Sequence, residues 1–91
     1  MPMYYVERSL PGITPDQLTA AATRAKTTTA RMREEGTPVR YLRSTFIPGD
    51  DKCYCLFEGP SPNVVEEANR QAEIPYDRVV EATHIASEDL S

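Results

Sequence analysis

The side chains of this chain that could do chemistry are few, and each needs a partner before it can act. His84 is the single histidine, and an imidazole serves as a metal ligand or as an acid and base when another polar group stands beside it. Glu7 is the candidate partner, because both residues fall on segments that read as neighbouring strands. Alone, a strand histidine is an ordinary half-buried polar residue. Cys53 and Cys55 stand one residue apart, so on a strand both point to the same face. Two thiolates so placed are soft ligands for nickel, copper or zinc if a histidine joins them; otherwise they pack as small hydrophobes. Their spacing is not the Cys-x-x-Cys of a structural zinc site. Without an export signal ahead of them, they are expected to stay reduced.

Other chemistries find no footing. A serine nucleophile would need a base and an orienting group, and the chain has one His and no Gly-x-Ser-x-Gly setting. A glycine-rich phosphate loop is also missing. Lys52 and Tyr54, with Met3-Tyr4-Tyr5, touch on the strand motif with which RNA-binding sheets stack bases. Cys53 and Cys55 replace its small residues and Leu56 replaces an aromatic. Ten basic against fourteen acidic side chains give a net charge of −4, which repels a phosphate backbone. No nucleic-acid partner is expected.

These residues must be held by a small scaffold. Met3 to Leu10 reads as a strand ended by Pro11-Gly12. Thr14-Pro15-Asp16-Gln17 then starts a helix, with Thr14 as cap, Pro15 at the first turn and Gln17 closing a capping box. Leu18, Ala21, Ala22, Ala25, Thr29 and Met32 recur at helical spacing until Gly36 stops them. From Pro15 to Glu35 this helix would run about 31 Å at 1.5 Å per residue. Val39 to Ile47 and Cys53 to Glu58 read as two strands joined by the turn Pro48-Gly49-Asp50-Asp51. Ser61-Pro62 opens a second helix whose stripe is Val64, Val65, Ala68 and Ala72, closed by Ile74-Pro75. Val79 to Ile85 is the last strand, carrying His84, and Ala86 to Ser91 a polar tail. Strand, helix, strand, strand, helix, strand is the ferredoxin-like α+β order in a single domain over residues 1–91: a four-stranded antiparallel sheet, both helices on one face, the first and third strands central.

One face of such a sheet is left uncovered, and here strand residues of both parities are large and apolar: Tyr4, Tyr5, Val6, Tyr41, Leu42, Tyr54, Leu56 and Phe57. A chain of 91 residues buries only about 60 to 65 percent of its unfolded surface. A second copy on the open face is the economical cover, giving a homodimer in the manner of a dimeric α+β barrel. If two open faces enclose a cavity, Tyr5, Tyr41 and Arg43, with Glu7, are its candidate polar handles, and an enzyme acting on a small organic substrate becomes one reading. An accessory protein without a ligand is another. No apolar run approaches the roughly 20 residues that span a bilayer, so no membrane partner is expected. Residues Met1 to Glu7 lack a basic leader and a long apolar stretch, which points to the cytoplasm.

Several stretches together resemble a known family. Val6-Glu7-Arg8 followed by Leu10-Pro11-Gly12, Tyr41-Leu42-Arg43-Ser44-Thr45-Phe46, Lys52 to Pro62 with Cys55, and Ile74-Pro75-x-Asp77-Arg78-Val79 are similar to the small bacterial nickel-binding family of ferredoxin-like fold. The resemblance covers nearly the whole chain. It implies a dimer, nickel or another divalent metal held by histidine and carboxylate ligands, and no established reaction. Glu7, Arg8 and Cys55 match the family pattern. Members often carry a histidine near Ala68, a tryptophan at Tyr41 and a histidine near Arg43, so this chain departs from them at three places. The resemblance and the residues together make His84, Glu7 and Cys55 the candidate metal ligands.

Overall fold

A computed structural model describes residues 1–90. The chain runs β1 (Met3–Ser9), α1 (Pro15–Glu34), β2 (Arg40–Ile47), a 3₁₀ turn (Pro48–Asp50), β3 (Lys52–Glu58), α2 (Pro62–Gln71), β4 (Arg78–Ala82) and a last 3₁₀ turn (Ser87–Asp89). The sheet order is β2-β3-β1-β4, antiparallel throughout. This is the ferredoxin-like α+β fold, with β1 and β3 central.

Both helices start as their sequences dictate. Thr14 accepts from the Gln17 amide at 3.1 Å while the Gln17 side chain accepts from the Thr14 amide at 3.0 Å, which satisfies two otherwise orphaned donors. Ser61 accepts from the Val64 amide at 3.3 Å. Both end in the same doubly bonded turn. After α1, Thr37 donates to the Met32 carbonyl and Gly36 to Arg33, with Gly36 at φ 97°. After α2, Ile74 donates to Asn69 and Glu73 to Arg70, with Glu73 at φ 57°. The left-handed position suits glycine in the first case and strains a side chain in the second.

Alternation on the central strands decides which parity meets the helices. Tyr4 and Val6 of β1 and Cys53, Cys55 and Phe57 of β3 form one buried cluster with Ala25 and Met32 of α1 and Val65 and Ala68 of α2. Tyr5, Glu7, Tyr54 and Leu56 therefore face away from both helices. Two expectations change. A bulge between Tyr41 and Arg43 pairs them with adjacent residues, Phe57 and Leu56; the extra residue, Leu42, reverses the parity. Tyr41 accordingly turns to the helix side, its ring 5.4 Å from that of Phe57, and Arg43 to the open side. The last strand stops at Ala82 instead of reaching Ile85, because its partner β1 begins at Met3, opposite Ala82. Beyond it stands Pro2, which has no amide proton to give a ladder.

Candidate functional site

On the open face the register sets three rows across the sheet. Thr45, Tyr54, Glu7 and Arg78 make one, Arg43, Leu56, Tyr5 and Val80 the next, and Arg40, Glu58, Met3 and Ala82 the third. Tyr5, Thr45 and Tyr54 line a shallow depression of about 220 Å³. Leu56, in the middle, is 1 % exposed although no helix lies over it. Two groups from the edges of the sheet meet on this face. The Arg43 guanidinium lies 3.3 and 3.4 Å from the two ring nitrogens of His84. Arg43 stands on one edge strand and His84 just beyond the other, three strand spacings or about 14 Å apart, so the pair arches over the centre of the face.

The acidic groups of this face already have cations beside them. Glu7 accepts from Arg78 at 2.7 Å and lies 3.9 Å from Lys52, and Glu58 lies 3.4 Å from Arg40. The cations are the more exposed members, Arg78 at 65% and Arg40 at 52% against Glu7 at 17% and Glu58 at 27%, so a multivalent cation can compete with them for the carboxylates.

The six residues singled out from the sequence are thus divided. Tyr5, Arg43, Glu7 and His84 share the open face, with Glu7 and His84 towards opposite ends of it. Tyr41 and Cys55 are on the helix side. Within one subunit His84, Glu7 and Cys55 do not converge, and among the described residues no three His, Cys, Asp or Glu side chains gather as a metal site.

A second constellation lies beneath the sheet, around a residue that strand alternation carries inward. Arg8 is 2 % exposed. Its Nε donates to Cys55 Sγ at 3.4 Å, one terminal nitrogen to the Pro75 carbonyl at 3.2 Å and the other to Asn69 Oδ1 at 2.9 Å. Asn69 is fixed in turn by donating to the Val65 carbonyl at 2.8 Å. None of Arg8's partners is a carboxylate. A guanidinium does not deprotonate in proteins, and a buried unpaired charge costs several kcal/mol. The group within reach that can supply a negative charge is the Cys55 thiol.

The surroundings of Cys55 favour that charge. Cys53 Sγ lies 3.8 Å away and Ser44 Oγ 3.0 Å away, and Tyr41 bonds to Ser44 at 2.7 Å. The bond from Cys53 together with the charge of Arg8 holds the Cys55 thiol well below its ordinary range, against the opposing effect of burial. The same bond and burial push Cys53 up. Burial likewise raises Tyr41. Beside the sulfurs is a void of about 10 Å³, walled by Arg8, Ser44 and the small residues Ala21, Ala22 and Ala25 of α1. A surface groove of about 350 Å³ shares its walls at Leu10, Ala21 and Ile74.

Sequence reasoning passed over Arg8 as a buried charge and Asn69 altogether, yet both carry a signal. Arg8 continues the Tyr4, Val6 alternation, and Asn69 stands four residues after Val65 in the apolar stripe of α2.

A family model described as nickel responsive protein SCO4226-like matches residues 4–82. The crystal structure of SCO4226 from Streptomyces coelicolor A3(2) is similar at 27% identity, with a TM-score of 0.73, over 92% of this chain and 99% of that one. No curated protein matches the chain.

Proposed function

The chain belongs to the SCO4226-like family of nickel responsive proteins, and from that membership we propose that it binds nickel or a similar divalent cation as a homodimer paired through the open face of its sheet. One observation carries this reading: Glu7 and Glu58 lie on the face that no helix covers, around the apolar centre of Tyr5, Tyr54, Leu56 and Val80, and His84 joins them there through its contact with Arg43. Imidazole and carboxylate are ligands that nickel accepts. One copy holds them apart, and a second copy across a two-fold axis doubles the set along the contact. Binding turns His84 out of its contact with Arg43 and draws carboxylates from their exposed cation partners. Cys55 takes no part, since it lies beneath the sheet. The cytoplasm suits this protein, because Cys53 and Cys55 are free and a reducing compartment keeps them so.

Calorimetric titration of tag-free, metal-stripped protein tests the proposal. Nickel is expected to give a saturating heat that weakens by about 10-fold or more in His84→Ala, the scale on which even supporting groups affect metal affinity. No heat from nickel, or an unchanged isotherm in the variant, would overturn it. The depression at Tyr5, Thr45 and Tyr54 favours a second reading, a small organic ligand enclosed between two such faces. A crystal structure of the dimer with that depression filled by side chains of the second copy would remove it.

A further inference from the structure

We infer that Cys53 and Cys55 form a second metal site, separate from the open face, that takes one monovalent soft cation of the copper(I) or silver(I) class. The two sulfurs are 3.8 Å apart on one face of β3, and metal–thiolate bonds of about 2.3 Å let one ion bridge such a gap with a bent arrangement. The void of about 10 Å³ beside both sulfurs is one probe sphere in size, and the groove sharing its walls gives a way in from the surface.

Ligand number and charge select the ion. His84 faces the other side of the sheet, and the other polar side chains around the sulfurs are Ser44, Tyr41 bonded to it, and Arg8, so beyond two thiolates only hydroxyls are at hand. Zinc requires four ligands, and soft thiolates select copper(I). Two thiolates with a monovalent ion carry one negative charge, which the single positive charge of buried Arg8 neutralises. With a divalent ion they are neutral, and Arg8 is left without a counter-charge in the interior, where that is expensive. Capture of the ion forms two metal–sulfur bonds and releases to solvent the protons that the thiols hold, with no change of oxidation state.

The test is anaerobic competition for copper(I) against the chromophoric chelator bathocuproine disulfonate, using the whole chain. One ion per chain is expected. Cys53→Ser removes a ligand and should lower the affinity by about 100-fold or more, beyond what substitutions outside the ligands cost, while His84→Ala leaves it unchanged. No capture, unchanged capture in Cys53→Ser, or displacement of copper(I) by excess nickel(II) would each overturn the inference. If Cys53→Ser does not fold, X-ray absorption on the copper-loaded natural sequence decides: a shell with two sulfurs supports the site, and a shell of nitrogen and oxygen alone refutes it.

Discussion

Arg8 joins three elements through single side-chain contacts: Cys55 on β3, Asn69 on α2 and the Pro75 carbonyl before β4. Removing one member of a buried charged pair typically costs 3 to 5 kcal/mol, and urea unfolding of Arg8→Leu should show a loss of about that size. The pH dependence has a definite sign. Cys55 is lowered to about 5 in the fold, against about 8.5 for a free thiol. Such a group stabilises the fold fully above the unfolded value, and that contribution fades as pH falls towards 5. Cys53 is raised and acts oppositely, costing stability above the ordinary thiol range. In the reduced, metal-free protein, the stability advantage over Cys55→Ser should therefore shrink between pH of about 8.5 and about 5; a difference independent of pH would contradict the thiolate. This part of the molecule was half legible. The spacing of Cys53 and Cys55 puts them on one face, but the parity of the strands decides which face, and Tyr4 with Val6 reads as apolar as Met3 with Tyr5.

The elements themselves followed from local chemistry, because caps, prolines and stripes act over a few residues. Their ends were less predictable where a distant partner sets them. β4 stops for want of a donor at Pro2, and the Leu42 bulge separates Tyr41 from Arg43, which simple alternation puts together. The two helix ends offer a direct comparison. Glu73 occupies at φ 57° the position that Gly36 occupies after α1 at φ 97°, with the same pair of bonds. A side chain in the left-handed region costs roughly 1 kcal/mol, of which glycine's extra freedom in the unfolded chain gives some back. Glu73→Gly should raise stability by a few tenths to about 1 kcal/mol, whereas Gly36→Ala should lower it by about 1 kcal/mol. Thermal unfolding of the two variants checks both signs, and a loss on Glu73→Gly would mean that the Glu73 side chain contributes something its exposed position does not show.

At the scale of the whole molecule, the order of elements was enough to give the sheet, its central strands and its uncovered side, because right-handed crossovers leave few alternatives. It could not show that Arg43 and His84 meet over that side, since their contact depends on where β4 ends and on a bulge in β2. Among the described residues no helix is long and apolar enough to cross a membrane. The homodimer proposed above pairs through the open face, and Tyr54 at the centre of that face is half-buried without belonging to the core cluster. Tyr54→Glu should thus keep the fold, by circular dichroism, while shifting sedimentation to the single-subunit value; a folded, still dimeric variant would place the contact elsewhere. The most direct test of dimer and metal together is native mass spectrometry of metal-stripped protein with and without added nickel. The expected result is a species of twice the 10.2 kDa chain mass that retains nickel. A nickel-free species at the mass of one chain, unchanged by the metal, would contradict it.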